Sequence, residues 1–430
     1  MRNRVSSGTH GGGRAWREAV WIAAGQVCVV LARLAGLRLV TAIVSPTVYG
    51  EAALLLGVGT LGTSIFCAPI LQAALRFFPD ARRDGSLQSL RCWAAKALLH
   101  STAALIVVFL IAAGVSRFAV RNAPVAGLAA LCAYVAVDTW RLSELNMLNA
   151  ARRQTTYAVW SAVDAALRPV CAVILVALCG ANSAAVICGY ALGCGIGIAM
   201  FRSRAVRDEQ KQAVDGAWLA QLRPRLVRFA LPMVPLAMLS WISNIADRYV
   251  LAAYGGVSAT GLYSAGYAIA SQPFINVSII ATSTFRPVLF DAVARNDDRS
   301  ERRAFRAWFF SVAALSALGV ACFIALGPRV SRVLLAPEFR TAAGVFPWIA
   351  GAYGLQAVQQ SFEGRIYARQ RTDLLLYLQV LTAGMATLMY LLLIPRNGPL
   401  GAAIATCAAF ALSCAATVVV SRRSAERDLV

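Results

Sequence analysis

Charged side chains interrupt otherwise apolar stretches of this 430-residue sequence. Their residue types and spacing give the clearest indication of what the protein could bind. Arg33 and Arg38 lie five residues apart in the first stretch, with no acidic residue within one helical turn of either. A guanidinium binds phosphate through paired hydrogen bonds, so two uncompensated arginines favour an anionic ligand. Alternatively, Arg33 pairs with an acid of another helix, and Arg38 extends its charged end towards water.

A second group combines acids with arginines. Asp138, Arg141 and Glu144 follow at three-residue spacing, which predicts one broad helix face. Asp164 and Arg168 have the i,i+4 spacing of an ion pair within a helix. Mutual neutralisation that lets these helices insert is the favoured interpretation of Asp164 and Arg168, and Arg141 is a candidate ligand-binding residue. The alternative is that Asp138, Glu144 or Asp164 exchanges protons or sodium ions during transport.

Two polar features lie in the second half of the chain. Arg248 follows directly after Asp247, which either neutralises it locally or leaves it free to bind a ligand. A later apolar stretch carries polar side chains at i, i+3, i+4 and i+7, which places them on one helix face. Such a stripe either donates hydrogen bonds to sugar hydroxyls or joins neighbouring helices. Its members are Gln356, Gln359, Gln360 and Glu363.

The elements that carry these residues are long apolar segments. Hydrophobic residues make up 59% of the sequence, charged residues 14%, and the mean hydropathy is +0.64. Twelve segments of about 20 residues are long enough to cross a bilayer as helices, which excludes an ordinary soluble domain. The first, fourth, fifth and tenth contain charges and should score weakly in hydropathy. The segments are Ala19–Val44, Glu51–Leu75, Ala97–Val115, Val125–Leu148, Tyr157–Leu178, Ala184–Phe201, Phe229–Ala253, Gly261–Phe285, Ala307–Leu326, Ala343–Ile366, Leu374–Ile394 and Leu400–Val420.

The excess of basic residues gives the orientation of these helices. There are 41 Lys and Arg residues against 20 Asp and Glu residues, a net charge of +21. With the N-terminus inside, 30 of the 41 cations lie on the cytoplasmic side and 6 on the opposite side. This asymmetry follows the positive-inside rule and predicts that both termini are cytoplasmic. The cations are spread over seven segments without a recognition motif, so nucleic acid is not predicted as a partner.

Cysteine and histidine usage argues against a cofactor or metal. The eleven cysteines form no C-x-x-C pair, and only two histidines are present. These patterns predict neither a zinc site nor a disulfide framework. We therefore expect the cysteines to pack as small apolar residues.

An internal repeat divides the sequence into two halves. The sequence matches keep their order with offsets of 210 to 217 residues, and six helices in each half return the chain to its starting side. We therefore predict two parallel six-helix repeats around a central cleft, an architecture suited to alternating access. The matched pairs are Arg38 with Arg248, Gly50 with Gly261, Arg76 with Arg286, and Ala150–Thr156 with Ala368–Asp373.

The repeat gives a domain organisation. We predict a first lobe at 18–201 and a second lobe at 229–421. A cytoplasmic linker at 202–228 joins them, and cytoplasmic tails at 1–17 and 422–430 flank them.

Several motifs resemble a known family. They read SPTVYGEAALL after the first helix, then RFALPMVPLAMLSWISNIADRYVLAAYGG and SATGLYSAGYAIA around the seventh, and PEFRTAAGVFPWIAGAYGLQAVQQ at the tenth. The chain resembles the Wzx-type polysaccharide biosynthesis flippases of the multidrug/oligosaccharidyl-lipid/polysaccharide (MOP) exporter superfamily. The fold class is thus all-α integral membrane, with about 12 transmembrane helices in a MOP/MATE-like arrangement.

The resemblance implies a function and partners. Members of the family move undecaprenyl-diphosphate-linked oligosaccharides to the periplasmic leaflet of the bacterial inner membrane, for O-antigen, capsule or exopolysaccharide synthesis. It therefore implies a cationic cavity and membrane lipids around it, with a polysaccharide polymerase and chain-length machinery as further partners. Candidate substrate-binding residues are Arg33, Arg38, Arg141, Arg248, Gln356, Gln359 and Gln360.

Two other functions are weighed against this one. A MATE-like multidrug or cation antiporter would share the fold, but drug exporters of the superfamily tend to have an acid in the first helix, where this chain has arginines. A polymerase or glycosyltransferase needs a sizeable extramembrane loop for its catalytic residues. The longest predicted outer loop, Gly327–Ala342, has 16 residues and only one acid, Glu338, so an enzyme is not predicted.

Overall fold

The computed structural model describes residues 10–119, 125–206, 215–295 and 297–427, and this part of the chain is helical with no strand. A 3-10 segment, Pro337–Val345, precedes α11. The helices are α1 His10–Thr41, α2 Pro46–Phe66, α3 Ala68–Arg83, α4 Leu87–Ala119, α5 Val125–Ala150, α6 Gln154–Cys179, α7 Ser183–Val206, α8 Gly216–Ala230, α9 Met233–Ala294, α10 Asp298–Leu334, α11 Phe346–Ala368 and α12 Thr372–Arg427.

Some predicted features fall outside the described residues. They include most of the first tail, the end of the last one and part of the predicted linker. The cations concerned are Arg2, Arg4, Arg121, Arg207 and Lys211.

Two of the helices each contain two membrane-length limbs. Gly256 (φ 83°, ψ 170°) breaks α9 into limbs 233–255 and 257–294, and Gly398 (φ 53°) breaks α12 into limbs 372–397 and 399–427. Such positive φ angles favour glycine, because a Cβ would clash with the backbone. With α2 and α3 taken as one interrupted span and α8 set aside, the described part of the chain forms twelve spans, which confirms the predicted number.

Hydropathy alone selects fewer spans. Eight stretches of the described residues are long and apolar enough to cross a membrane, and two of them contain the limbs of α9 and α12. The prediction of weak hydropathy is confirmed for α11, which is not among the eight, and is wrong for α5 and α6, which qualify.

Three helix boundaries differ from the sequence expectation. The first helix begins at His10, inside the predicted tail, because a helix can extend beyond the apolar core into water. The second span breaks at Cys67, where Pro69 follows in the first turn of α3 and supplies no N–H donor. The segment predicted as a linker contains α8, which buries Leu222 and Leu226 and exposes its arginines.

The two halves repeat each other in backbone conformation. The turn between α5 and α6 has Arg152 at φ 56°, and the turn between α11 and α12 has Gln370 at φ 58°. These two are the only residues other than glycine with positive φ in the described part of the chain. They lie in the two segments that the sequence repeat aligns, so the matching motifs encode matching turns.

The halves meet where α2 crosses α9. A Cβ on Gly50 would lie 2.1 Å from the Val257 carbonyl oxygen, and a Cβ on Gly261 would lie 1.9 Å from the Pro46 carbonyl oxygen. The contact is reciprocal, because Gly50 aligns with Gly261 and Pro46 with Val257 at the same offset of 211. Reciprocal contacts are typical of a two-fold axis. The crossing therefore lies on the pseudo-two-fold axis that relates the repeats.

Candidate functional site

A polar cavity of about 560 Å³ opens between the helices of the first half, and α9 of the second half contributes to one side of it. It reaches from Arg33, in the middle of the first span, to the end of the molecule where α5 ends and α6 begins. On the other side of Arg33 the cavity reaches Tyr49, which directly precedes Gly50 of the crossing of α2 and α9, so the closed contact between the halves lies next to the inner end of the cavity. The polar lining is Gln26, Arg33, Tyr49, Arg141, Asn146, Asn149, Tyr157, Ser161, Asp164, Arg168, Tyr190 and Gln272.

Four charged groups at the cavity neutralise one another, and three of them, Arg141, Asp164 and Arg168, line its wall. Asp138 accepts from Arg141 (Nη2 to Oδ1, 2.7 Å) and from Arg168 (Nη2 to Oδ1, 2.9 Å). Asp164 lies 3.0 Å from Arg168 and 3.4 Å from Arg141. Arg168 also donates to the Tyr134 hydroxyl at 3.2 Å. The pair predicted between Asp164 and Arg168 is present, and it belongs to a closed square of two cations and two anions.

Arg33 stands apart from this square. Among the described residues, no carboxylate lies within 4 Å of its guanidinium. Its Nη1 instead donates to Gln272 Oε1 at 3.1 Å, a residue of the second half 239 positions later. The side chain is exposed to the cavity, so it leaves one unbalanced positive charge there.

The second half has its own cavity, of about 640 Å³. Gln356 and Gln360 line it together with Asn244, Tyr353 and Arg286. The Thr282 hydroxyl donates to Gln360 Oε1 at 3.2 Å, which orients that amide.

Behind this cavity lies a smaller polar one of about 120 Å³. There the Gln359 amide donates to Glu363 Oε1 at 2.9 Å. The polar stripe of α11 thus faces cavities inside the second half.

Arg248 lies in an aromatic setting. Its guanidinium lies over the ring of Tyr267, 4.5 Å from the centroid, and it lines none of the three cavities described above. The neighbouring Asp247 is fully buried and accepts from Tyr263 Oη at 2.5 Å and from the Arg248 backbone N–H at 2.9 Å. Tyr267 also pairs with Tyr353, which lines the second cavity.

Two predicted site residues lie elsewhere. Arg38 is half-buried and does not line the first cavity, and its Nη1 is buried without a hydrogen-bond partner in the described part of the chain. The expected common face of Asp138, Arg141 and Glu144 is wrong, because Glu144 lines a separate groove beside α4. Each three-residue step turns a helix about 60° short of a full rotation, so two steps separate side chains by about 120°.

Sequence reasoning missed Gln272 and Arg286. Gln272 carries no charge, and its partner Arg33 is far away in the chain, so no local pattern could have indicated it. Arg286 directly follows the predicted segment Gly261–Phe285 and is one of the 30 cations assigned to the cytoplasmic side, and its match with Arg76 across the repeat was the available signal.

Comparison with known proteins gives a family and a fold. Residues 15–293, well over half of the chain, match the family model described as "Polysaccharide biosynthesis protein". No curated protein matches the sequence.

Among solved structures, an inward-facing multidrug resistance MATE family transporter of the MOP superfamily has a TM-score of 0.67 at 12% identity, covering 95% of this chain and 93% of that one. The lipid II flippase MurJ, in an inward closed conformation, has a TM-score of 0.69 at 10% identity, covering 94% and 87%. A MOP superfamily transporter from Pyrococcus furiosus has a TM-score of 0.62 at 13% identity, covering 97% and 98%. At these identities the likeness establishes the fold alone, which is the helical fold of these MATE and MurJ structures, and the predicted fold class is confirmed.

Proposed function

Since the chain belongs to the polysaccharide biosynthesis protein family, we propose that it is a flippase for a lipid-linked oligosaccharide whose lipid carries a diphosphate. Its role would be to move undecaprenyl-diphosphate-linked glycan across the inner membrane for O-antigen, capsule or exopolysaccharide synthesis. The observation that carries this proposal is the unbalanced Arg33 on the wall of a 560 Å³ cavity. A volume of this size is typical of a ligand-binding cavity.

The charge distribution favours an anionic cargo. Arg141 and Arg168 are balanced by Asp138 and Asp164, so these four groups contribute no net charge to the cavity. Arg33 adds one cation, and a guanidinium can hold a phosphate by two parallel hydrogen bonds. A cationic drug would gain no electrostatic attraction from the wall of this cavity.

The proposed transport cycle would begin at the contact between Arg33 and Gln272. Binding of the diphosphate would replace the Gln272 amide on Arg33 and so release one link between the halves. Rocking of the two lobes would then carry the headgroup past the crossing of α2 and α9, while the lipid tail stays in the bilayer. Gln356 and Gln360 in the second cavity would donate hydrogen bonds to the glycan.

We assign the remaining candidates by their surroundings. Arg248, which stacks on Tyr267, would support the wall of the second cavity through Tyr353, and Arg38 would act only in another conformation. Asp138 and Asp164 would balance Arg141 and Arg168, because a carboxylate in two ion pairs is poorly placed to exchange a cation. Glu144 lies in the groove beside α4 and away from the cavity.

The setting of the protein is part of the proposal. The 30 to 6 distribution of cations supports cytoplasmic termini, with both cavities opening towards the cytoplasm. Lobes at 18–201 and 229–421, joined by the linker 202–228, would rock against each other. Surface polysaccharide synthesis further implies a polymerase and chain-length machinery acting on the delivered glycan.

The test is transport into proteoliposomes. Labelled lipid-linked glycan is supplied on one side, and glycan reaching the other leaflet is measured with Arg33→Ala and with the control Arg329→Ala, an exposed arginine at the end of α10. We expect Arg33→Ala to lower the transport rate at least tenfold, since a hydrogen-bonded charge contributes about 1.5–3 kcal/mol. The control should transport like the wild type.

Two results would overturn the proposal. Wild-type transport by Arg33→Ala would remove Arg33 from substrate binding. Export of cationic drugs by the wild type, with no movement of lipid-linked glycan, would instead identify a multidrug antiporter on the same fold.

A further inference from the structure

A groove of about 610 Å³ lies on the side of the first half, between α4, α5 and the end of α7. It shares no lining residue with the central cavities. Its apolar wall includes Leu98, Leu99 and Met147, and Leu99 is 67% exposed. An exposed apolar wall on a membrane-spanning helix faces lipid, so the natural contents of this groove are acyl chains.

One end of the groove is basic. Arg91, Lys96 and Arg202 line it against a single acid, Glu144. All four lie near the beginning of α4 or the ends of α5 and α7, which the distribution of cations places on the cytoplasmic side. The Arg202 guanidinium lies over the ring of Trp140, 5.0 Å from the centroid, which holds the cation at the edge of the apolar wall.

We propose that this groove is a binding site for an anionic phospholipid of the cytoplasmic leaflet, such as phosphatidylglycerol. The phosphate binds among Arg91, Lys96 and Arg202, and an acyl chain lies along Leu98 and Leu99. Basic pockets between transmembrane helices on the cytoplasmic side have the chemistry that anionic headgroups need. A zwitterionic lipid should bind more weakly, because its own ammonium group is repelled by the three cations and offsets the attraction of its phosphate.

This site is separate from the proposed transport path. The bound lipid fills the space between α4 and α5 and stabilises the packing of the first lobe, while the cargo uses the cavity at Arg33. Arg33→Ala therefore leaves phospholipid binding unchanged, and the two proposals can fail independently.

Native mass spectrometry of the full chain in detergent tests the site. The protein is titrated with phosphatidylglycerol or phosphatidylcholine, and the fraction carrying one lipid is measured. The wild type should bind phosphatidylglycerol more tightly. Each charge removed should weaken that binding about fivefold, so R91Q/K96Q/R202Q should abolish the preference.

The matched control removes three cations elsewhere on the cytoplasmic side. Arg299, Arg302 and Arg306 are exposed on α10, and R299Q/R302Q/R306Q should keep the preference. K96Q and R202Q, tested singly, replace exposed side chains, so neither substitution should affect folding. Each should partially weaken the binding of phosphatidylglycerol.

Three outcomes would overturn the site. The first is equal loss of binding in both triple variants, and the second is wild-type binding in K96Q and R202Q. The third is competition in which a polyprenyl diphosphate lipid displaces phosphatidylglycerol from the groove, which would assign the groove to the cargo instead.

Discussion

At the scale of single residues, the cavity contrasts compensated arginines with an uncompensated one. Arg141 and Arg168 share two carboxylates at 2.7 to 3.4 Å, whereas Arg33 has an amide partner. A buried ion pair contributes little net stability when intact, but removing one partner leaves an isolated charge at high cost. The square therefore holds α5 against α6, and Arg33 is left available to a ligand.

This division of roles predicts the behaviour of Asp164→Asn. The variant leaves two cations facing one anion at positions where the side chains are only 8 to 20% exposed. We expect it to be destabilised by about 3 kcal/mol, the lower end for breaking a buried pair. Thermal unfolding in detergent measures the change.

The matched variant is Asp164→Asn combined with Arg168→Gln, which restores the charge balance. It should recover most of the stability. If Asp164→Asn unfolds like the wild type but its transport loses dependence on an ion gradient, Asp164 is a coupling residue and the structural assignment is wrong.

At the scale of elements, the crossing of α2 and α9 joins the halves. Gly50 and Gly261 bring two backbones into contact, and the Tyr249 hydroxyl and Trp241 indole donate to the Leu54 and Gly57 carbonyl oxygens at 2.7 and 2.9 Å. Close backbone approach through small residues is a common way for membrane helices to associate. We therefore propose this crossing as the pivot about which the lobes would rock.

Gly50→Ala tests this contact. The added Cβ would lie 2.1 Å from a backbone oxygen, so the helices must shift. We expect a loss of about 1–3 kcal/mol in stability, as in overpacked cores, together with reduced transport. Gly384→Ala is the control, since its Cβ would have no neighbour within 4 Å and alanine favours the helix. Equal melting temperatures for Gly50→Ala and the wild type would refute the pivot.

At the scale of the whole molecule, the orientation of the helices in the membrane can be tested. The cation distribution predicts that the start of α10 is cytoplasmic and that the 3-10 segment after α10 is outside. Both regions are exposed at Arg299 and Glu338, which lie at opposite ends of α10.

Cysteine labelling of intact cells tests this orientation. In a background without the eleven native cysteines, a membrane-impermeant maleimide should label Glu338→Cys and leave Arg299→Cys unlabelled. A permeant maleimide should label both and so controls for reactivity. The reverse pattern with the impermeant reagent would invert the topology.

The amino-acid sequence by itself determined the number of spans, the duplication and the family, because hydropathy, cation distribution and repeated motifs are local properties that add along the chain. It also indicated the pair of Asp164 with Arg168, four residues apart on one helix. Only the tertiary structure decided that Asp138 and Arg141 close this pair into a square, that Arg33 meets Gln272, and that Glu144 and Arg38 lie outside the cavity. Those outcomes depend on helix rotation and on contacts between residues far apart in the chain, and no local spacing encodes either.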